Sequence, residues 1–393
     1  MDNKRRSSTG RSKILEISIM ILSEFIKSKD LEDIYGSVIN NTLPGELRST
    51  AWRIFLGILN KDDSLNWAKT TKSLRDNYYK LSKQADENAL KFLKSELNDE
   101  QAKSLLDEKT IGLINTAKAE LKQISNNFDF FKSEIISELV IRLVYLWSIA
   151  HSDFQDYQLI VEIVAGIVYS LYPSILHIDI NMLGIDEEKL DNLEIKNIFY
   201  YLNTEEHFDA DVYTIFDCLM SRGFKNFISS QKEYKSISPG EIQDIVKIDD
   251  DKVILENAKK LNKIDRIFSF YLRLVNPEML TKVSADKNEL YQALDFLVST
   301  ILTKHLNSET IIYIWDCIFI NEIFSSHEKA FSFENDFFLF IDYILLSYLI
   351  LNQDNAGKTD FVKIFLNSLQ TIDGRDVVKK AIKLREKINN IYS

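Results

Sequence analysis

Hydrophobic positions recur along this chain at helical spacing. Apolar residues follow one stripe in each of the windows 47–58, 136–150, 290–301 and 312–319. Residues three or four positions apart share one face of a helix, so each window predicts an amphipathic helix that buries that face. Two-residue alternation, which is typical of half-exposed strands, is nearly absent. The pattern therefore predicts an all-α fold.

The low number of glycines and prolines favours the same fold class. The 393 residues include 11 glycines and 4 prolines, far below the average usage of about 7% and about 5%. Phosphate-binding loops and the tight turns of β-sandwiches and barrels need many such residues. Nucleotide-binding α/β folds and all-β folds are therefore disfavoured.

Two polar segments interrupt the predicted helices. The segment 174–206 is acidic and mixed in period, which predicts an insert between helices, and the polar segment 229–251 predicts a surface linker. The most apolar run, 337–351, has 15 residues and contains Asp342. A bilayer-spanning helix needs about 20 apolar residues, so this run predicts a buried helix instead.

The charge of the chain is negative, with one basic exception near its start. The formal net charge is -11, so nucleic-acid binding is disfavoured, because no excess of cations is present to displace counterions. A basic segment holds Lys4, Arg5, Arg6, Arg11 and Lys13. We interpret residues 1–13 as a mobile, solvated leader, with contact to an anionic membrane as the less favoured alternative. The sequence predicts no secretory or membrane-spanning segment, so the predicted location is the cytoplasm. Peripheral contact with endomembranes is left open as an addition to this prediction.

No cluster of residues indicates a self-contained enzyme. Cys218 and Cys317 lie in apolar surroundings and are interpreted as free thiols of a reducing compartment. The five histidines are scattered, so no metal site is predicted. Phosphate-loop and catalytic-triad patterns are also absent from the sequence. We expect no cofactor.

The segment 43–59, LPGELRSTAWRIFLGIL, carries a recognisable motif. Arg48 and Trp52 are four positions apart and share a helix face, which on its own indicates a buried indole with an arginine nearby. The pattern Pro-x-x-Leu-Arg-x-x-Ala-Trp before an apolar run resembles the opening motif of TBC domains. These are all-helical GTPase-activating domains for Rab-type small GTPases.

Four further segments resemble TBC landmarks in the expected order. Segment 139–173 resembles the family's helix pair that contains a Tyr-x-Gln-Gly-Met motif; segment 207–220 resembles its acidic-aromatic helix; and segment 265–280 resembles the helix before its C-terminal lobe. Segment 305–319 contains Trp315-Asp316, which matches the family's Trp-Asp pair. We interpret Arg48, Trp52, Trp147, Trp315 and Asp316 as structural landmarks.

The resemblance implies a two-lobed TBC domain within residues 14–390. The N-terminal lobe is predicted over about 35–222 and the C-terminal lobe over about 252–390.

The family's catalytic arginine is missing from the matching position. In TBC domains an arginine from an Ile-x-x-Asp-x-x-Arg helix neutralises phosphoryl charge, and the glutamine of Tyr-x-Gln orients the attacking water. A gapless alignment from Phe130 places the family's Asp and Arg on Glu120 and Gln123. Between Arg75 and Arg142 the sequence has no arginine, so a shifted alignment does not restore one.

The glutamine motif is altered as well. Gln158 matches the family's glutamine, but Asp156 and Leu159 stand in place of its tyrosine and glycine. A negative charge and a bulky side chain both oppose close approach of a nucleotide-bearing partner. The resemblance places Glu120, Lys122, Asp156 and Tyr157 at the GTPase interface.

The leading hypothesis is a regulator that binds a Rab-type GTPase with weak or absent activating activity, and is not an enzyme itself. GTP and Mg²⁺ would belong to the partner. One alternative is an active GTPase activator that uses Gln158 with a cation from elsewhere, such as Arg142. Another is a helical trafficking scaffold that binds no GTPase.

Overall fold

The computed structural model describes residues 2–27, 32–154, 157–177, 184–186, 190, 193–225, 228, 263–304, 306–325 and 338–392. The linker predicted over 229–251 lies outside the described residues, as does Asp156.

The described chain is helical, apart from an isolated parallel bridge between Leu176 and Thr204. This confirms the all-α prediction. The chain divides into two compact units: unit 1 comprises Met1–Tyr35 and Leu43–Ser221, and unit 2 comprises Gly36–Thr42 and Arg222–Ser393.

The first eleven helices are α1 Asp2–Lys27, α2 Glu32–Ile39, α3 Arg48–Phe55, α4 Trp67–Ser82, α5 Glu87–Leu93, α6 Asp99–Leu105, α7 Glu108–Asn127, α8 Glu134–Ala150, α9 Tyr157–Leu171, α10 Ile195–Leu202 and α11 Phe208–Leu219. The helices that follow are α12 over 263–275, whose middle part Arg266–Tyr271 is a π-helix, α13 Pro277–Val283, α14 Lys287–Ser299, α15 Ser308–Ser325, α16 Phe340–Leu351, α17 Phe361–Ser368 and α18 Gly374–Tyr392.

Helix α9 lies in the core of unit 1. It packs against α7, α8 and α11, and its sequence YQLIVEIVAGIVYSL is apolar on nearly every side. A helix that is apolar all round is stable only when neighbours cover it completely. Gln158 is the one exposed residue of α9, and it lies in the first turn of this core helix.

Helix α16 lies in the core of unit 2, as α9 lies in the core of unit 1. All residues from Phe340 to Ile350 are buried, and α16 packs against α15 and α18. The predicted buried helix over 337–351 is present, and its described part begins at Phe340.

Each unit buries one carboxylate between two cations. In unit 1, Asp211 of α11 accepts hydrogen bonds from Arg75 of α4, and Arg53 of α3 lies 2.8 Å from its Oδ2. In unit 2, Asp342 of α16 lies 2.6 Å from Lys263 Nζ and 2.7 Å from Arg266 Nη2. Buried charges are tolerated because their partners offset the cost of removing them from water.

Two of the predicted segments include described helices. Helix α1 begins at Asp2, within the leader predicted over 1–13, and the mobility of that leader stays a prediction. The acidic segment 174–206, predicted as an insert, contributes α10, whose Phe199, Tyr201 and Leu202 are buried. Its C-terminal part therefore belongs to the core of unit 1. Burial of aromatic and aliphatic side chains at helical spacing stabilises this position, although acidic residues precede them.

Candidate functional site

The helix that contains Gln123, the position aligned with the family's arginine, is α7. Its N-terminus is capped by Asp107, whose Oδ1 accepts the backbone N–H of Thr110 at 2.8 Å. This hydrogen bond holds the pKa of Asp107 below its ordinary value. The buried face of α7 is formed by Leu113, Ile114, Ala117, Glu120 and Leu121. Glu120 is therefore a carboxylate placed on an otherwise apolar face.

Glu120 and Gln158 are in direct contact. Gln158 Nε2 donates a hydrogen bond of 2.6 Å to Glu120 Oε1. Glu120 is 5% exposed and is therefore buried, whereas Gln158 of α9 is exposed to solvent. The Gln158 amide therefore directs its NH₂ group towards Glu120. Its carbonyl oxygen is left as an acceptor for a partner's N–H or for water.

Gln123 and Lys122 are both exposed near this contact. Gln123 is three positions after Glu120 and lies next to it on the same side of α7, whereas residues two positions apart do not face each other. Lys122 therefore points away from the Glu120 side. We name Glu120, Gln123 and Gln158 the finger surface; Lys122 lies outside it, on another side of α7.

Lys118, the other lysine near this site, is hydrogen-bonded at the end of α5. Lys118 Nζ donates to the carbonyl oxygen of Phe92 at 2.7 Å and to Ser95 Oγ at 3.2 Å, and it lies 4.7 Å above the Phe92 ring. Burial lowers the pKa of this ammonium group. Lys118 ties α7 to the end of α5 and is not available as a catalytic cation.

The residues around Gln158 provide support. Tyr157 is 9% exposed and packs edge-on against Phe154, with ring centroids 6.2 Å apart. It holds the start of α9 in place and offers little surface to a partner. Leu159 is half-buried. The predicted interface role of Asp156 falls outside the described residues.

Arg142 is engaged with another helix. Its Nη2 lies 2.9 Å from Asp209 Oδ2 of α11, and Tyr78 OH donates to the same oxygen at 3.0 Å. Arg142 also lines a cavity of about 430 Å³ to which no residue of the finger surface contributes. The structure gives Arg142 a role in joining α8 to α11.

The predicted structural landmarks lie in the interior. Trp52, Trp147 and Trp315 have no exposed surface. Trp147 Nε1 donates to Asp217 Oδ1 at 3.1 Å, and Trp315 Nε1 donates to the carbonyl oxygen of Ile301 at 2.8 Å. Buried indoles usually satisfy their N–H in this way.

The two charged landmarks are buried as well. Arg48 is 8% exposed and Asp316 is 2% exposed. Such positions fit packing roles better than contact with a partner.

The finger surface suits hydrogen bonding rather than neutralisation of charge. It offers the carbonyl oxygen of Gln158 and the amide of Gln123, but no guanidinium. Within the described residues, no group of histidine, cysteine and carboxylate side chains could hold a metal ion. In the same part of the chain, no helix is long and apolar enough to cross a membrane.

Sequence comparison finds no match, whereas comparison with solved structures finds a similar fold. No protein-family model matches the sequence, and no curated protein matches it. Among solved structures, the chain is similar to the Ypt/Rab-GAP domain of Gyp1p, with a TM-score of 0.55 and 14% identity. The match covers 96% of this chain and 99% of that domain. The chain therefore has the all-helical fold of a TBC domain.

Proposed function

We propose that this protein binds a Rab-type small GTPase through the finger surface and accelerates GTP hydrolysis weakly or not at all. The observation that carries the proposal is the exposed amide of Gln158, held by the buried carboxylate of Glu120 on a helix that has Gln123 at the family's arginine position. The site therefore has Glu120 to hold a glutamine finger, but it lacks the arginine that supplies the positive charge in the family.

The missing guanidinium should remove most of the acceleration of GTP hydrolysis. An arginine finger is worth about 10³ to 10⁵ in rate, because its charge stabilises the transferring phosphoryl group. A neutral amide such as Gln123 cannot supply that stabilisation. Lys122 is a point charge without the planar fork of arginine, and it points away from Glu120.

Several further features belong to the same proposal. The protein acts as an accessory factor rather than an enzyme, and the nucleotide and its Mg²⁺ are held by the GTPase. We propose that it acts in the cytoplasm and takes part in vesicle trafficking. In this proposal its basic N-terminus contacts endomembranes peripherally.

The first test measures binding to a panel of Rab proteins loaded with a non-hydrolysable GTP analogue. We expect at least one Rab to bind, and we expect Gln158→Ala to weaken that binding about fivefold, because one hydrogen bond is worth about 1 kcal/mol. Gln84→Ala, which removes an exposed glutamine at the end of α4, is the matched control and should leave the affinity within about twofold.

Single-turnover hydrolysis with the bound Rab then separates the alternatives. We expect a rate close to that of the GTPase alone. Acceleration beyond about tenfold would show an active GTPase activator with an unrecognised cation. Failure to bind any Rab would instead favour a scaffold that has only the fold.

A gain-of-function variant tests the predicted docking geometry. Gln123→Arg should raise the hydrolysis rate of the bound Rab at least tenfold, since it restores a guanidinium one helical turn from Glu120. Lys122→Arg is the matched control, because it adds a guanidinium on the other side of α7, and it should leave the rate unchanged. Equal rates for both variants would contradict the proposed orientation of the finger surface.

A further inference from the structure

Helix α1 has two apolar faces, of which only one is covered. Ser18, Leu22 and Phe25 are buried, with exposures of 0%, 1% and 5%. On the other face Ile14, Ile17 and Met20 are 43%, 47% and 53% exposed. These three residues follow each other at intervals of three, so they form one stripe along the helix.

The same helix carries an unusual share of the positive charge. Residues 1–27 include six lysines and arginines against three carboxylates, whereas the whole chain has a net charge of -11. The remaining residues therefore carry -14. The helix thus combines an apolar stripe with a basic N-terminal half, in a chain whose other residues are acidic overall.

We propose that α1 lies on an anionic membrane surface, with Ile14, Ile17 and Met20 inserted at the boundary between headgroups and acyl chains. The positive charge of the segment 4–13 then attracts the anionic phosphate and carboxylate groups of the lipids. This inference rests on the peripheral membrane contact that belongs to the proposed function, and it names the contact surface and the lipid class.

The size of the stripe favours a membrane over a protein partner. A stable protein interface buries about 800 Å² on each partner, and three half-exposed side chains fall well short of that. A bilayer needs no matching surface, and it presents apolar chains and anionic headgroups together. Single weak anchors bind membranes reversibly, and an apolar insertion combined with a polybasic segment gives the second signal that stable attachment requires.

The position of Glu24 limits the contact to the first part of α1. Glu24 is exposed and lies four positions after Met20, so it ends the apolar stripe. The proposal therefore predicts that membrane contact uses the N-terminal five turns or so, up to Met20, while the C-terminal turns of α1 stay packed on unit 1.

Vesicle sedimentation of the full chain tests the proposal without any GTPase. We expect binding to vesicles of phosphatidylserine and phosphatidylcholine at least tenfold tighter than to vesicles of phosphatidylcholine alone, with a marked loss at high salt. Ile14→Ser, Ile17→Ser and Met20→Ser combined should weaken binding at least tenfold. Arg5→Glu with Arg6→Glu should do the same, because each lost cation costs about fivefold.

The control is Leu105→Ser in α6, which removes a side chain that is likewise 50% exposed. It should leave vesicle binding within about twofold, and urea unfolding should show that all variants remain folded. Undiminished binding of the triple serine variant, equal binding to both kinds of vesicle, or no binding at all would each overturn the proposal. Because the GTPase assays are done in solution, the Rab proposal and this one fail independently.

Discussion

Asp342→Ala is expected to lower the free energy of unfolding by about 3–5 kcal/mol. The carboxylate lies in α16, where it is fully buried and contacts Lys263 and Arg266 at 2.6 Å and 2.7 Å. Its removal takes a counter-charge away from two cations in the interior of unit 2. The loss of attraction is then added to a desolvation cost that both cations still bear. Urea unfolding followed by circular dichroism measures the change.

Two further variants show whether charge is the cause. Asp354→Ala removes an exposed carboxylate of unit 2 and should change the stability by less than about 0.5 kcal/mol. Asp342→Leu combined with Lys263→Met and Arg266→Met should recover most of the lost stability, because replacing all members of a buried charge cluster is often neutral. A loss below about 1 kcal/mol for Asp342→Ala alone would contradict this explanation.

Asp211→Ala should destabilise unit 1 by a similar amount, about 3–5 kcal/mol. Arg75 donates to both carboxylate oxygens, at 2.9 Å and 2.7 Å, and Arg53 Nη2 lies 2.8 Å from Oδ2. The two guanidinium groups also donate to the carbonyl oxygens of Tyr201 and Leu202. Asp211 therefore links α3, α4, α10 and α11, and its loss should loosen all four helices together.

Hydrogen exchange is the sharper measurement for this variant. We expect faster exchange across α4, α10 and α11, with α16 of unit 2 unaffected. Asp76→Ala is the matched control, since Asp76 is a half-exposed carboxylate of α4 that pairs with Lys72 at 3.0 Å. Surface pairs of this kind are worth about 0–1 kcal/mol. An equal effect of the two variants would show that burial of Asp211 is not decisive.

The fold could be predicted largely from the sequence. Helical periodicity and the scarcity of glycine and proline are local properties, and they report which face of each helix is buried. The run 337–351 is one example: its length and apolar character predicted a core helix, and α16 occupies it. The TBC landmarks added the order of these segments along the chain, and the fold is similar to that of the Gyp1p domain over 96% of this chain.

The candidate site was predicted only in part. Spacing within the motifs singled out Gln123 and Gln158, because a motif is itself a local pattern. Nothing local indicated that Glu120 would bond to Gln158, which is 38 positions away. Nor did the sequence show that Lys118 would be bound to α5 and Arg142 to Asp209. Whether a cation is available depends on such contacts, and they form only when the helices pack.

The sequence by itself determined the helices, their buried faces, the fold class and the absence of an arginine at position 123. Only the tertiary structure decided which side chains meet: Gln158 with Glu120, Asp211 with Arg53 and Arg75, and Asp342 with Lys263 and Arg266. It also left one face of α1 uncovered. The physical reason is that burial follows from a period of 3.6 residues within a helix, whereas pairing follows from long-range packing.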